Sequence, residues 1–328
     1  MAGSSNFITF FILTISVCVK EYLCVEYPVG RHCKINHPVK ELSKENVLKY
    51  GQLDGETHLR DAVETILKAR VDSTSGINEV RKYISDSLCQ MGWFVEYDVF
   101  QLGREHFINM IAKLNPNAKR FLVLTCHYDR NYFKYNKFVG DIDAVPCAML
   151  LNMAHVLQAA LKQFRKTELS LMFIFFDGEE AMDKWGPRGS VYGARHLANR
   201  WAEDGNLDKL DILVDLDLIG SSDSTFYSFF ENTDTWFSRF ITLETRLSNA
   251  EMLHTSENPK RYFEPIRSGY QQGDHLPFLE QNVPILHVTP TPFPKVDDES
   301  IISYAATEDI SRIIRLFTME YLLSGITN

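Results

Sequence analysis

Apolar residues recur along this chain with two periods. Between residues 58 and 71, and again between 77 and 91, they return every three to four positions, the spacing of a helix with one buried face. FVEYDVF (94–100) and FINMIAKL (107–114) read as strands, and Asn115, Pro116 and Asn117 mark the turn that follows. From there the pattern becomes an alternation. RFLVLTC (120–126), LSLMFIFF (169–176), ILVDLDLIG (212–220) and VPILHVTP (283–290) are apolar runs of strand length. AVPCAMLLNMAHVLQAAL (144–161) and VYGARHLANRW (191–201) are helical runs between them, and DISRIIRLFTMEYLL (309–323) predicts a closing helix.

Strands that are apolar on both faces need cover on both faces. The alternation therefore predicts an α/β fold: a mixed, largely parallel central sheet with helices on both faces. The chain has 328 residues and no low-complexity or Pro/Ser-rich stretch to divide it, so one domain is expected, over 20–328. Residues 1–19 read differently. FITFFILTISVCV (7–19) is almost wholly apolar, reaches small residues near Ser16 and Cys18, and precedes Lys20 and Glu21. That run is shorter than the roughly 20 residues a bilayer-spanning helix needs, so it reads as a secretory signal peptide and the expected location is extracellular rather than the Golgi lumen.

Charge changes the picture little. The net charge of -9 comes without a basic stripe interleaved with aromatics, which argues against a nucleic-acid partner. Secretion changes the reading of the six cysteines, because an oxidising compartment permits disulfides. None is spaced as a Cys-x-x-Cys pair. Cys18 leaves with the signal. Cys126 ends a strand and Cys147 opens a helix, which fits either a bridge between neighbouring elements or two buried thiols; Cys24, Cys33 and Cys89 have no assignable partner.

The candidate chemistry lies where strands stop. In open α/β sheets ligands sit beyond the carboxyl ends of the strands. That rule selects His127 to Asp129, then Asp177 to Glu180 in FFDGEEA, then Asp217, and the loop after Thr289; Asp141 and Asp143 precede a helix at the same edge. Carboxylates crowded as in DGEE repel one another unless a cation or solvent relieves them. His127, Asp143, Glu180 and Asp217 together offer the nitrogen and oxygen donors that Zn²⁺ accepts. With Glu180 on a metal, Glu179 would be free to move protons. Each residue alone has a plainer use: the acids at a helix N-terminus, Asp143 as a helix cap, His127 as a loop residue.

At this point the residues resemble the glutaminyl-peptide cyclotransferases, relatives of the zinc aminopeptidases. LTCHYD, FVGDIDAVPCAMLL, FFDGEEA with Trp185 after it, SVYGARHLA, LDLIG, RYFEP, DHLPFL and VPILHVTPTPFP come in the family's order, over the chain from roughly Leu42 to its end. The resemblance implies a secreted enzyme, expected to be a monomer, that converts the N-terminal glutamine of peptides or proteins to pyroglutamate with release of ammonia, using one Zn²⁺. It further implies that Asp143 and Glu180 are zinc ligands, that Glu179 is the catalytic acid/base with Asp217 as its hydrogen-bonding neighbour, that Trp185 and Phe293 line the substrate pocket, and that Cys126 pairs with Cys147.

Three departures stand against that pattern. After TPFPKV the family continues with Trp-His, the histidine being its third zinc ligand, whereas here Val296 is followed by Asp297, Asp298 and Glu299. The family has two aspartates before the histidine of DHLPFL, the first of them in the catalytic network; here Gly273 precedes Asp274. GDIDAVP is one residue shorter than its counterpart. His127 is the imidazole placed to substitute as a ligand, while strand alternation puts His287 in the core. Two further readings follow: a catalytically impaired homologue that binds peptide N-termini, and a two-metal aminopeptidase.

Overall fold

Three helices, α1 (Lys44–Gly51), α2 (Glu56–Asp72) and α3 (Gly76–Gln90), precede the first strands in this computed structural model. It describes residues 37–72, 76–129, 143–179, 190–257, 261–269, 271–292 and 302–326. Strands β1 (Phe94–Leu102), β2 (Glu105–Lys113) and β3 (Arg120–His127) follow, then α4 (Ala144–Val156), α5 (Gln158–Leu161), β4 (Leu169–Phe176), α6 (Tyr192–Asp204) and β5 (Leu210–Leu216). The remainder is β6 (Phe226–Ser228), α7 (Asp234–Asn249), β7 (Phe263–Arg267), α8 (Leu276–Glu280), β8 (Ile285–Val288) and α9 (Tyr304–Ser324).

Six of these strands form one sheet in the order β1-β2-β4-β3-β5-β8. β4, β3, β5 and β8 are parallel to one another, and β2 runs antiparallel to both β1 and β4. The sheet is therefore mixed and largely parallel. Alternation divides its side chains between two cores. Leu122, Leu124, Phe173, Phe175, Val214 and Leu286 pack with α2, α4, α7 and α9 on one face. Phe121, Val123, Ile174, Phe176, Leu213 and Ile285 pack with Ala194, Leu197 and Trp201 of α6 and Phe278 of α8 on the other.

The apolar runs overstate some elements. The expected helix over 144–161 breaks at Leu157 into α4 and α5, and the axis turns by 70° across the break. The turn keeps Leu157, Leu161 and Phe164 all buried. The strand expected over 212–220 stops at Leu216, because Leu218 takes a left-handed backbone (φ 51) that no strand continues. Asp217 thus stands just beyond the strand rather than in it. Absent from the apolar-run reading are the short helices α1 and α8, the small parallel sheet of β6 and β7, and α7, although Trp236, Phe240, Leu243 and Leu247 recur at helical spacing on its buried face.

Candidate active site

Four parallel strands end at one edge of the sheet, and their register decides which side chains meet there. His127 pairs with Phe176 across β3 and β4, while Thr125 pairs with Asp215 across β3 and β5. Two residues on, His127 and Asp217 are therefore level, and both point to the α6 and α8 face. The turn after Phe176 brings in Glu179.

That turn separates the carboxylates of DGEE. Gly178 holds φ 77, and a Cβ on it would stand 2.7 Å from the Phe107 ring, so only glycine fits this approach. Asp177, on one side of it, accepts hydrogen bonds from the Ile108 N–H (2.8 Å) and the Tyr128 hydroxyl (3.1 Å), with Arg81 at 3.5 Å. Burial, with Asp129 adding repulsion, still pushes its carboxyl up to about 6. Asp177 is thus committed to tying β2, β4 and α3 together. Glu179 turns the other way, into the space at the strand ends.

There Glu179 Oε2 lies 2.8 Å from His127 Nε2. The same nitrogen is 3.8 Å from Asp217 Oδ1, and His127 Nδ1 is 3.4 Å from Asp129 Oδ1. Asp129 also accepts the Glu179 backbone N–H at 3.3 Å. All four residues are buried. Burial works to lower the affinity of His127 for its proton, but Glu179, Asp129 and Asp217 outweigh it and hold the imidazole well above its usual range. Burial pushes Glu179 up to about 8; His127 opposes this, and Asp217 and Asp129 add to it. Both groups are thus held above their usual ranges, as suits a site that must accept and return a proton.

Asp143 lies buried at the start of α4, where its side chain makes no cap hydrogen bond to the helix, so the simple capping role is not the one it plays. The helix start meets the site through sulfur. Cys147 Sγ is 2.6 Å from Cys126 Sγ and 3.0 Å from the carbonyl oxygen of His127, so the two cysteines expected to pair are in contact here without the disulfide bond. The structure therefore brings His127, Glu179 and Asp217 together, and sets the helix carrying Asp143 against the strand end that carries His127. Glu180, Trp185 and Phe293 lie outside the described residues, as do the signal-peptide residues 1–19, the shortened GDID segment and the Val296 to Asp297 step.

Gly273 stands where an acid of the catalytic network is expected from the resemblance. A Cβ there would begin 3.2 Å from His275 Nδ1, 3.4 Å from His287 Nε2 and 3.5 Å from Asp215 Oδ2, beside a second polar cluster. The acid that bears on the network is Asp274. It is fully buried, and burial together with repulsion from Glu179 and Asp215 holds its carboxyl well above the usual range. Asp274 is the site residue to which the sequence reading gave no role; Asp215, of the neighbouring cluster, was not singled out either, although the alternation of VDLDL puts it on the same face as Asp217.

A profile of peptidase family M28 matches residues 109–318. A glutaminyl-peptide cyclotransferase of Drosophila melanogaster is 49% identical over 312 residues, covering 89% of this chain and 88% of that protein. The chain belongs to the glutaminyl-peptide cyclotransferase family. Another member, from Bos taurus, is 38% identical over 78% of this chain and 80% of its own. The crystal structure of the glutaminyl cyclase of Macrostomum lignano superposes with a TM-score of 0.80 at 34% identity, over 87% of this chain and 95% of that one. A leucine aminopeptidase precursor from Bacteroides thetaiotaomicron, at 15% identity and a TM-score of 0.59, shares the fold.

In this cyclotransferase-family chain the donor set suits a divalent cation. One oxygen each from Glu179 and Asp217 and a His127 nitrogen lie within 4.8 Å of one another. With Asp129 and Asp274 added, five buried groups carry four carboxyls and one imidazole. Such a surplus of negative charge away from water calls for a cation as well as protons.

Proposed function

We propose that this chain is a zinc-dependent glutaminyl-peptide cyclotransferase, secreted, that closes N-terminal glutamine of peptides to pyroglutamate and releases ammonia. The observation that carries the reading is the buried contact of 2.8 Å between Glu179 and His127 at the strand ends, with Asp217 beside it. Asp143 and Glu180, with His127 in place of the family's third ligand, are the residues that would hold Zn²⁺. When bound, the ion supplies Lewis-acid polarisation of the γ-amide carbonyl.

The chain's own residues move the proton. Glu179 accepts a proton from the substrate's α-amine as that nitrogen bonds to the γ-amide carbon, and returns it to the amide nitrogen as the carbon–nitrogen bond breaks and ammonia leaves. The carboxyl ends as it began. Asp217 and Asp274 favour the protonated form of Glu179 that donates, while the cation that His127 would help to hold would favour the ionised form that accepts. Nucleophile and electrophile belong to one residue of substrate, so orientation and proton traffic are what the protein must provide. Trp185 and Phe293 are assigned to the walls that orient it.

A second reading keeps a specific ground: Val296 is followed by Asp297, with no histidine after TPFPKV. In that reading the pocket binds peptide N-termini without turnover. Ammonia release from a glutamine-initiated peptide, with and without added Zn²⁺ and beside a Glu179→Gln control, decides between them. Zinc-dependent release lost in the control supports the cyclase. Saturable binding of the peptide without release supports the second reading.

A further inference from the structure

A second polar cluster lies inside the sheet, one step deeper than the site just described. Asp215 of β5 pairs in register with Thr125 of β3 on one side and with His287 of β8 on the other, so a row of polar side chains crosses the α6 and α8 face where apolar ones are the rule. His275, from the residue before α8, joins them. Asp215, His275 and His287 are 2%, 0% and 2% exposed, which removes water as a partner for any of them.

The two oxygens of Asp215 have different surroundings. Oδ1 accepts the Thr125 hydroxyl at 2.7 Å. Oδ2 accepts the His275 backbone N–H at 3.2 Å, and lies 3.2 Å from His275 Nδ1 and 3.7 Å from His287 Nε2. The two imidazole rings are 4.0 Å apart between centroids. Neither ring nitrogen of His287 has a hydrogen-bond partner among the described residues. A buried imidazole left so is destabilising, and a ligand on its nitrogen would offset that cost.

Gly273 supplies the space. A Cβ at that position would stand 3.2, 3.4 and 3.5 Å from His275 Nδ1, His287 Nε2 and Asp215 Oδ2, so the missing side chain leaves room directly over the three donor atoms. Bonds of about 2.0 to 2.2 Å in a tetrahedron set neighbouring donors roughly 3.3 to 3.6 Å apart. The separations of 3.2 and 3.7 Å from Asp215 Oδ2 are close to that. Two imidazoles and one carboxylate are a donor set for Zn²⁺ and its first-row neighbours rather than for Mg²⁺ or Ca²⁺.

We propose that Asp215, His275 and His287 form a second metal site, for one Zn²⁺ or similar transition-metal ion, with Gly273 keeping the space over the three donors free of a side chain. The ion stiffens the junction of β5, β8 and the turn before α8, and does not touch substrate. Asp274 follows Gly273 in that turn, so the ion also fixes the backbone from which an acid of the candidate active site projects. The proposal stands independently of the reaction assigned to that site.

Metal content of the full chain tests it. In an Asp143→Ala/Glu180→Ala background, where the candidate active site has lost two ligands, the protein loaded with Zn²⁺ and desalted should retain about one ion per chain by plasma mass spectrometry. Adding Gly273→Ala, which places a methyl group over the donor atoms and removes none of them, should reduce retention at least tenfold. His287→Gln should do the same; where that variant fails to fold, the glycine variant carries the test, with circular dichroism showing that it is folded. Zinc absent from the folded background protein overturns the proposal. So does retention unchanged by Gly273→Ala, which would put the ion on His127 and its carboxylates.

Discussion

His127 Nε2 stands 2.8 Å from Glu179 Oε2, and the contact joins the end of β3 to the turn after β4. It results from register, since pairing of His127 with Phe176 leaves the turn only three residues to bring Glu179 alongside. Glu179→Gln keeps the size of the side chain and removes its ability to take a proton. The expected loss in kcat is about 10² to 10⁴-fold with little change in KM, read from ammonia release.

His127→Ala acts on the same proton from the other side. In the zinc-free chain the protonated imidazole draws the Glu179 carboxyl down against burial, so its removal leaves Glu179 higher still. Carboxyl titration of the zinc-free protein by carbon-13 NMR should therefore show the Glu179 signal moving to higher pH in the variant. In the zinc-loaded protein His127→Ala also removes a proposed ligand, so ammonia release should fall at every pH.

Gly178→Ala tests the turn that separates Asp177 from Glu179. Alanine would have to hold φ 77 and put its Cβ 2.7 Å from the Phe107 ring. A left-handed non-glycine residue costs about 1 kcal/mol and a buried overlap about 1 to 3 more. A loss of about 2 to 4 kcal/mol in denaturant unfolding is expected, with activity falling in the protein that still folds.

The parts of this site that were legible in the sequence are those set by strand ends. An apolar run that stops at a polar residue marks the carboxyl edge of the sheet, and His127, Glu179 and Asp217 were all found that way. Asp177 shows the limit of that signal, because adjacency in DGEE does not tell which carboxylate faces the cleft; the left-handed turn at Gly178 decides it. Gly273 shows another limit. Whether an acid there would touch Glu179 depends on how the turn before α8 is set against β5 and β8, a contact between segments some 60 residues apart in the chain, as for Asp215 and His275. Likewise the α7 period was present in the residues but belonged to a core face that only tertiary packing defines.

The sulfurs of Cys126 and Cys147 lead to a prediction about covalent structure. They are 2.6 Å apart at the junction of β3 and α4. In protein secreted through an oxidising compartment, peptide mapping without reductant should recover these two cysteines in one cross-linked species. A bridge closing a loop of this length contributes about 3 kcal/mol, so reduction or Cys147→Ala should lower the unfolding free energy by about that amount. Such a bridge would also anchor the helix that begins after Asp143, so zinc affinity should fall when it is reduced.

Glu244 of α7 gives a pH dependence away from any metal. Its two carboxyl oxygens accept the backbone N–H groups of Tyr262 (2.6 Å) and Phe263 (3.1 Å), which favour the ionised form. Burial is the larger effect and pushes the carboxyl up from 4.5 to about 7. A folded-state value above the unfolded one means that the folded chain prefers the protonated form. Its contribution to stability is complete below 4.5, declines as the unfolded chain ionises, and is lost once pH has risen through about 7. Between about pH 5 and about pH 8 the loss amounts to roughly 2 kcal/mol. Glu244→Gln removes the titration. Glutamine also presents an amide N–H to one of the two backbone donors, which adds a cost that does not vary with pH. The difference in unfolding free energy between the two proteins should therefore shift in favour of glutamine by about 2 kcal/mol across that range, whatever its value at the start. Parallel pH curves would show that the two N–H donors, rather than burial, set the state of Glu244.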